Sequence, residues 1–260
     1  MNTDHTAASA RSPIHTETFP VLSHDVDVTG FLRIDALLGL LHETAWRHAE
    51  RSGCGFKHLQ QFNLLWVISR FSMRILHRPS RGETVLIRTW PRQINRLFAY
   101  RDFEIRDHHD DTLCVATGMW IIIDHTSRKP VNMLSFKDFF GLHNQTVLDN
   151  HIAKLRIPDT RDYCYYHTVS WLDLDFNDHV NNLNYLRWVI RAIPDPILMK
   201  YTIVGMQIDH TGECHTGDPI AAAITLDQSV PSPVCYGRVF RKDTVKEFAH
   251  VALTLQPIVS

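Results

Sequence analysis

The stretch that decides the fold is residues 173–188, which read Asp-Leu-Asp-Phe-Asn-Asp-His-Val-Asn-Asn-Leu-Asn-Tyr-Leu-Arg-Trp. Asp175, Asn177 and His179 are each two residues apart, so in an extended strand their side chains would share one face. After Asn181 the apolar residues recur at helical spacing, which predicts an amphipathic helix capped by Asn181. We therefore expect a carboxylate, an amide and an imidazole to meet a helix N-terminus, whose N–H groups could stabilise a carbonyl oxygen that gains negative charge.

Asp and Asn residues ahead of a helix often serve only as caps and turns. The run from Asn177 to Tyr185, Asn-x-His-Val-Asn-Asn-x-x-Tyr, is longer and more specific than a cap requires. It resembles the signature of hot-dog-fold thioesterases, and most closely that of the acyl-acyl-carrier-protein (acyl-ACP) thioesterases of plant plastids and bacteria. Further similarity to the plant enzymes lies at residues 65–70, 82–85, 120–128 and 212–214, so the resemblance spans almost the whole chain.

This resemblance implies an α+β fold, a tandem double hot-dog in which each half is a long helix wrapped by an antiparallel sheet. It also implies hydrolysis of fatty acyl-ACP to free fatty acid, a step that terminates fatty acid synthesis. The implied partners are acyl carrier protein and a fatty acyl chain, with no cofactor and no metal. Carried over position by position, the family's proposed catalytic groups are Asp175, Asn177, His179, Glu213 and Cys214. The Glu-Cys pair begins 36 positions beyond the Asn (213 − 177), as in the family.

The two halves of the chain show the same order of elements, a strand, a long helix and four strands. The Asp-Val-Asp at 25–27 matches the Asp-Leu-Asp at 173–175 at an offset of 148 positions (175 − 27). At that offset Thr29 and Phe31 stand where the second copy has its Asn and His. We interpret the chain as a duplicated module whose first copy has lost the polar cluster. The expected division is a flexible tail over 1–13, a first hot-dog over 14–150 with the acyl pocket, and a second over 158–260 with the catalytic residues.

Alternation and turn signals predict the individual elements. In the first half we expect strands at 15–21, 63–75, 83–90, 97–106 and 112–124, with one helix that Asp35 caps and that ends near Gly53. In the second half we expect strands at 163–170, 203–210, 219–226, 234–241 and 247–255, with a helix that ends near Ala192. A short helix is expected at 136–140, and the later residues up to 157 are interpreted as a linker.

Composition narrows the choice of partners and compartment. The 260 residues are 44% hydrophobic with a net charge of −1, so the overall charge indicates neither nucleic acid nor a membrane surface. Five cysteines without a Cys-x-x-Cys pair favour a reducing compartment over a disulfide framework. Because residues 1–13 lack the apolar run of a signal peptide and are short for a plastid transit peptide, we expect the bacterial cytoplasm.

The expected chemistry is attack of water on a thioester carbonyl. His179 is the expected base, because an imidazole titrates near neutral pH, and Asp175 would fix its tautomer. Asn177 would orient the water or donate to the carbonyl oxygen. Glu213 is a second candidate base, whereas Cys214 is either a nucleophile or a small buried thiol.

Spacing bears on the choice between Glu213 and Cys214. As neighbours in a strand they would face opposite ways, so only one would normally line the site. The segment from Met206 to Gly217 spans 11 positions against 9 for Met73 to Gly82, which indicates a β-bulge beside the pair (217 − 206, 82 − 73). We favour Glu213 as the base or the group that holds water.

Two further groups of residues concern the substrate. Between Arg70 and Arg106 the sequence has nine arginines and three acidic residues, a local charge of +6 (9 − 3). We interpret this stretch as a docking surface for an acidic carrier protein, or as a solvated sheet face, with the exposed docking residues expected to be Arg78, Arg81 and Arg92. An acyl cavity in the first half, or ordinary core, is expected from the side chains of Trp66, Ile68, Phe71, Trp120 and Ile122.

Three other functions stay open. One is an acyl-coenzyme A thioesterase. Another is a hot-dog hydratase or dehydratase, although those enzymes have a Pro in the motif and a wider Asp-to-His gap than this sequence. The third is a non-catalytic acyl-binding module, for which a degenerate site would be expected in both copies. The oligomeric state is open as well, with a homodimer as one option.

Overall fold

The structure is a computed structural model that describes residues 13–139, 141–148, 152–244 and 246–258. The tail expected over 1–13 lies outside these residues except for its last position. The strands are β1 (His15–Pro20), β2 (Leu64–Ile75), β3 (Thr84–Ile94), β4 (Ala99–Arg106), β5 (Thr112–Asp124), β6 (Tyr163–Thr168), β7 (Tyr201–His210), β8 (Pro219–Asp227), β9 (Val234–Arg241) and β10 (Glu247–Pro257). The α-helices are α1 (Ile34–Arg51), α2 (Phe56–Gln60), α3 (Asn182–Ala192) and α4 (Asp195–Leu198), and 3₁₀ turns lie at Met133–Phe139 and Trp171–Asp173.

The ten strands form one antiparallel sheet in the order β1-β3-β4-β5-β2-β7-β10-β9-β8-β6. The first five come from the first half of the chain and the last five from the second, in mirrored order. The halves join where β2 pairs with β7, from Arg70 opposite Asp209 to Arg74 opposite Gly205. The sheet therefore has two equivalent wings, one carrying α1 and the other α3.

The internal repeat holds at the level of elements. β1 and β6 begin 148 positions apart (163 − 15), and so do α1 and α3 (182 − 34). The bridges that precede the two helices, Val26 with Leu32 and Leu174 with Val180, keep the same offset. The same local sequence therefore folds in the same way twice.

One apolar core runs between the sheet and the two long helices. Its largest contributors include Leu37, Leu38 and Leu41 of α1, Leu186 and Val189 of α3, and inward-facing residues of the central strands. In β2 the pairing shifts between Ile68 and Arg70, and this bulge brings Ile68, Phe71, Met73 and Ile75 to the core. The helices also contact each other, since Arg187 of α3 pairs with Asp35 of α1 at 2.8 Å.

The expected strands and long helices are present with small shifts at their ends. One expectation was wrong: Arg33, not Asp35, is the N-cap of α1, and Asp35 is a buried residue of its first turn. Asp35 lies there because Arg33 and Arg187 hold its carboxylate. Two short helices, α2 and α4, were not expected, since five and four residues give too little periodicity to recognise. No helix within the described residues is both long and apolar enough to cross a bilayer.

The segment expected to be a linker packs against the outer face of the central strands. Arg70 donates to the carbonyl of Ile152 at 2.8 Å, and Gln207 donates to that of Ala153 at 2.7 Å. The N–H of Leu155 donates to Asp209 at 2.8 Å. Polar residues on β2 and β7 therefore bind the connection between the two halves across the seam of the sheet.

Candidate active site

Residues 175–179 form a tight turn and not the extended strand expected from their alternation. The N–H of Asp175 donates to the carbonyl of His179 at 2.7 Å, and the N–H of Asp178 donates to that of Asp175 at 3.1 Å. Asp178 has a φ of 61°, a left-handed conformation that Asp and Asn tolerate better than most residues. The turn gathers the Asp, Asn and His immediately ahead of α3, which is where the sequence placed them.

The carboxylate of Asp175 holds this turn together. Its Oδ1 accepts the N–H of Asn177 at 2.8 Å and the N–H of His179 at 3.3 Å. Asp175 therefore binds the main chain of His179, whereas we expected it to bind the imidazole. In the described part of the chain no side chain hydrogen-bonds to the His179 ring.

Helix α3 begins directly after the turn. The side chain of Asn181 accepts the N–H of Leu183 at 3.0 Å, which confirms Asn181 as the N-cap. Asn184, one turn on, is buried and donates its amide to the carbonyl of Asp173 at 2.9 Å. The helix start is thus fixed against the segment that carries the polar cluster.

Glu213 and Cys214 lie in the loop between β7 and β8. The N–H groups of Thr211 and Gly212 both point to the carbonyl of Phe248, at 2.9 and 3.2 Å, which is the hydrogen-bond pattern of a β-bulge. Beyond this irregularity Glu213 is half-buried and pairs with Arg128, a residue of the first half of the chain, whereas Cys214 is buried. The two neighbours therefore differ in environment, although they lie in a loop and not in the strand that we expected.

Cys214 sits against Tyr185 of α3. Its backbone N–H donates to the Tyr185 hydroxyl at 3.2 Å, and the hydroxyl also contacts the thiol. Burial raises the pKa of the Cys214 thiol to about 12, so at neutral pH the sulfur is protonated and weakly nucleophilic. Burial also raises the pKa of the Tyr185 hydroxyl, which stays a neutral hydrogen-bonding group. Tyr185 links the Glu-Cys loop to the helix that follows the turn.

The five expected catalytic residues thus form two groups. Asp175, Asn177 and His179 share one turn, and the Glu-Cys pair occupies the loop that Tyr185 anchors to the next helix. Among the described residues no hydrogen bond or ion pair joins the side chains of one group to those of the other.

The corresponding turn of the first half has the same backbone but a different electrostatic environment. Asp27 accepts the N–H of Thr29 at 2.9 Å, and Gly30 has a φ of 82° where the second turn has Asp178. Here Arg78 forms an ion pair with Asp27 and lies over the ring of Phe31. The pKa of Asp27 is lowered despite its partial burial, because Thr29 and Arg78 stabilise the carboxylate. Asp175 has no such ion pair within the described residues.

The residues expected to line an acyl cavity fall into two neighbouring clusters. Ile68 and Phe71 belong to the main core, with Trp120 packed against Phe71 at a ring distance of 6.2 Å. Ile122 and Trp66 belong to a smaller cluster with Leu59, Ala99 and Met133 beneath α2. Gly118 leaves space for the Trp120 ring, which comes within 2.1 Å of where a Cβ would lie. All five residues remain candidates for contact with an acyl chain.

The expected docking arginines need correction. Arg92 is buried at 6% exposure beside Asp102, and Arg78 is half-buried in its ion pair with Asp27. Of the three, Arg81 is exposed as expected. The six other arginines of the stretch divide in the same way, since Arg70, Arg88, Arg101 and Arg106 are buried or half-buried and Arg74 and Arg96 are exposed. The sequence could not separate them, because a buried arginine needs a partner that lies elsewhere in the chain.

Sequence reasoning missed three kinds of residue at this site. Tyr185 closes the quoted signature, but only its contact with Cys214 shows what it does. Arg128 and its partner Glu213 are 85 residues apart. His42 of α1 and His210 of β7 come from different halves and are described below. No local pattern indicates such pairings.

Comparisons with known proteins agree with this geometry. The family model "Acyl-ACP thioesterase N-terminal domain" matches residues 13–138, and "Acyl-ACP thioesterase C-terminal domain" matches residues 158–249. A palmitoyl-acyl carrier protein thioesterase of Gossypium hirsutum is 24% identical over 83% of this chain and 56% of its own length. A dodecanoyl-[acyl-carrier-protein] hydrolase of Umbellularia californica is 28% identical over 82% of this chain and 59% of its own. The chain therefore spans a little over half the length of these curated relatives.

Solved structures are similar over almost the whole chain. The 12:0-ACP thioesterase from Umbellularia californica superposes with a TM-score of 0.86 at 25% identity, covering 95% of each chain. An acyl-ACP thioesterase from Bacteroides thetaiotaomicron superposes with a TM-score of 0.82 at 23% identity, covering 96% of this chain and 100% of that one. These superpositions confirm the expected double hot-dog α+β fold.

Proposed function

Because this chain belongs to the acyl-ACP thioesterase family, we propose that it hydrolyses the thioester of fatty acyl-ACP, releasing free fatty acid and ending chain elongation. The observation that carries the proposal is the turn of residues 175–179 at the start of α3, with the Glu-Cys loop tied to the same helix through Tyr185. This arrangement offers a base, an amide and a helix N-terminus to one carbonyl group.

In the proposed reaction a water molecule attacks the thioester carbonyl carbon. His179 takes the proton of that water, Glu213 holds the water in place, and Asn177 or the start of α3 donates to the carbonyl oxygen as it becomes negative. The tetrahedral intermediate then collapses with cleavage of the carbon–sulfur bond, and the proton passes from the imidazole to the leaving sulfur. Asp175 keeps the turn in shape by binding its main-chain N–H groups.

We propose that Cys214 does not attack the substrate. Its burial and its raised thiol pKa of about 12 support this assignment, because a thiolate and not a thiol is the nucleophile. The bulge before Glu213 supports the complementary role for the carboxylate. The proposed route is therefore direct hydrolysis without an acyl-enzyme intermediate.

We propose the first half, 14–150, as the part that binds the acyl chain and carrier, and 158–260 as the catalytic half. The support for carrier docking is the set of exposed arginines, Arg74, Arg81 and Arg96, within a stretch of local positive charge. We also propose a cytoplasmic location, supported by the five free cysteines at 54, 114, 164, 214 and 235.

The test is a panel of acyl-ACP and acyl-coenzyme A thioesters of matched chain lengths, with free thiol and free acid measured together. We expect equimolar thiol and acid from acyl-ACP, with a higher kcat/KM than for the coenzyme A thioester of the same acyl chain. A preference for coenzyme A would make the chain an acyl-coenzyme A thioesterase. Water addition across an enoyl thioester with the thiol retained would indicate a hydratase, and binding without release would indicate an acyl-binding module.

A further inference from the structure

Two half-buried histidines, one from each half of the chain, lie near each other at the junction between the two halves. His42 lies on α1, and His210 is the last residue of β7, immediately ahead of the bulge and the Glu-Cys loop. His42 helps to lower the pKa of His210, although the two residues are 168 positions apart (210 − 42). No step of the reaction proposed above uses either ring.

Both rings have a nitrogen without a hydrogen-bond partner. Within the described residues, Nε2 of His42 and Nδ1 of His210 are inaccessible to solvent and unpaired. Buried polar atoms of this kind are uncommon in native proteins, where water, a ligand or another side chain normally satisfies them. Each residue as a whole is nonetheless only half-buried.

The rings are neutral at the pH of the cell. Burial lowers the pKa of His42 to about 4, and burial together with the nearby His42 lowers the pKa of His210 to about 3. A neutral imidazole has one N–H donor and one acceptor nitrogen. The pair therefore suits an uncharged group that can both accept and donate hydrogen bonds, and it offers no charge to attract an anion.

The position of the pair connects it to the proposed reaction. The ring of His210 packs edge-on against Tyr185 at 5.5 Å, and the Tyr185 hydroxyl contacts Cys214. On its other side the pair borders the first half, where His42 packs edge-on against Phe71 at 5.3 Å. Phe71 is one of the residues expected to contact the acyl chain. The two imidazoles thus lie between the catalytic loop and the candidate acyl pocket.

We propose that His42 and His210 form a polar subsite that hydrogen-bonds an uncharged oxygen-bearing group of the bound thioester, close to its reacting carbonyl. Two parts of such a substrate carry this chemistry: a hydroxyl or carbonyl at C3 of the acyl chain, and an amide of the pantetheine arm. The proposal rests on the proposed thioesterase function, because it describes the substrate of the same site. The proposal predicts that the protein selects substrates by the presence of this oxygen-bearing group and not by the length of the acyl chain.

The first arm of the experiment compares a 3-hydroxyacyl chain with the unsubstituted acyl chain of the same length, on the same carrier protein. The second compares an S-acyl-N-acetylcysteamine thioester, which keeps one pantetheine amide, with an S-acyl ethanethiol thioester, which has none. Each pair is measured with the unaltered protein, His42→Leu, His210→Leu, and the variants His42→Gln and His210→Gln, which keep a donor and an acceptor. His250→Leu is the control, because His250 is a buried histidine that already binds Glu247.

In the arm whose oxygen-bearing group the two histidines bind, we expect the unaltered protein to have a kcat/KM for the oxygenated substrate that is roughly fivefold to tenfold higher than for its partner. One or two neutral hydrogen bonds account for a difference of this size. The Leu variants should abolish that preference while they keep most activity on the unsubstituted substrate, and the Gln variants should restore part of it. His250→Leu should leave the ratio unchanged. If the histidine substitutions change the kcat/KM ratio in the first arm, the bound group belongs to the acyl chain. If they change the ratio in the second arm, it belongs to pantetheine.

If neither ratio responds to the substitutions, the pair holds only buried water and the proposal is wrong. That outcome is distinct from failure of the proposed function, in which the unaltered protein would hydrolyse none of the four substrates. Circular dichroism of each variant shows whether the variant is folded. A misfolded variant also loses activity on both substrates of a pair, whereas a folded variant without the subsite loses only the preference between them. The two Gln variants keep the test decisive if a Leu variant does not fold.

Discussion

The two copies of the polar turn differ in their side chains and in one ion pair, that of Arg78 with Asp27. In the first copy Arg78 neutralises Asp27 and covers Phe31, so the turn serves as structure. In the second copy the equivalent carboxylate binds only main-chain N–H groups among the described residues, and a His replaces the Phe. The same backbone therefore carries a stabilising ion pair in one half and a candidate base in the other.

We expect hydrolysis to depend on the second turn alone. His179→Ala or Asn177→Ala should lower kcat by about 10²–10⁴-fold, because each removes a positioned acid–base or hydrogen-bonding group. Thr29→Ala, the matched change in the first turn, should leave kcat within about twofold, since no step of the proposed mechanism uses that turn. Steady-state hydrolysis of acyl-ACP measures both. Equal losses from the Thr29 and Asn177 substitutions would refute a single active turn.

The roles of Glu213 and Cys214 can be separated by paired substitutions. Cys214→Ala should lose no more than about tenfold in kcat through altered packing, whereas Glu213→Ala should lose far more because the attacking water is no longer held. Rapid quenching of a labelled acyl substrate should trap no acyl group on the protein. An acyl-Cys214 that forms and decays at the rate of turnover would instead establish a covalent route.

Among the elements, helix α3 sets the position of the site. The N–H of its N-cap Asn181 and the side chain of its first-turn Asn184 both donate to the carbonyl of Asp173 in the preceding segment, and its Tyr185 binds the Glu-Cys loop. Helix α1 has the same starting position in the repeat but lacks a side-chain cap. The capped helix start is therefore a local feature of the second half.

Removing the cap of α3 should destabilise the protein by a predictable amount. We expect Asn181→Ala to lower the free energy of unfolding by about 1 kcal/mol, the usual loss when a helix N-cap loses its acceptor. Asn181→Asp should keep the stability, because a carboxylate also accepts the Leu183 N–H and suits the positive end of the helix. Urea titrations of the three proteins provide the comparison. An Ala variant as stable as the original would show that the cap contributes nothing.

For the whole molecule, the exposed arginines predict how a carrier protein would dock. Arg81→Glu and Arg74→Glu should raise KM for acyl-ACP by several-fold. Added salt should reduce the difference in KM between these variants and the unaltered protein, because the attraction between the arginines and the carrier protein acts through solvent. Activity on a short coenzyme A thioester should change less. Arg156→Glu, an equal charge change at an exposed residue outside the stretch, is the control. Equal losses on both substrates would mean that the arginines support the fold and not the docking.

The buried histidines predict an acid-sensitive fold. The pKa values of His42, His48 and His210 are lowered from 6.5 to about 4, about 3 and about 3, mainly by burial, with Arg101, His15 and Arg51 also repelling a proton on His48. The folded state therefore binds fewer protons than the unfolded chain between pH 6.5 and about 4. Stability should be full above pH 6.5 and should fall by roughly 1 kcal/mol per histidine for each unit below it.

Urea midpoints measured from pH 7.5 to 4.5 test this expectation. The double variant His42→Gln and His210→Gln should show a shallower fall with pH than the unaltered protein, because two of the three sites are gone. Identical pH slopes would mean that these histidines are protonated in the folded state as readily as in the unfolded chain. His250→Leu again serves as the control for a buried histidine with a carboxylate partner.

The sequence by itself determined the order of the elements, the repeat at 148 positions, the helix cap at Asn181 and the grouping of Asp175, Asn177 and His179. These features depend on contacts between residues a few positions apart, so periodicity and capping chemistry encode them directly. Two local expectations were wrong, the capping of α1 by Asp35 and the extended strand at residues 175–179. Alternating polar residues can belong to a strand or to a turn, and the left-handed conformation of Asp178 decided for the turn.

Only the tertiary structure decided which residues from distant positions meet. Arg128 meets Glu213, and His42 lies near His210, because the pairing of β2 with β7 joins the two wings of the sheet. Tyr185 meets Cys214 within the second wing, where α3 packs on the sheet. The pairing of β3 with β4 places Arg88 beside Glu104 and Arg92 beside Asp102, whereas Arg74, Arg81 and Arg96 remain exposed. A charged side chain is buried only where another part of the chain supplies a partner, and no local pattern specifies that partner.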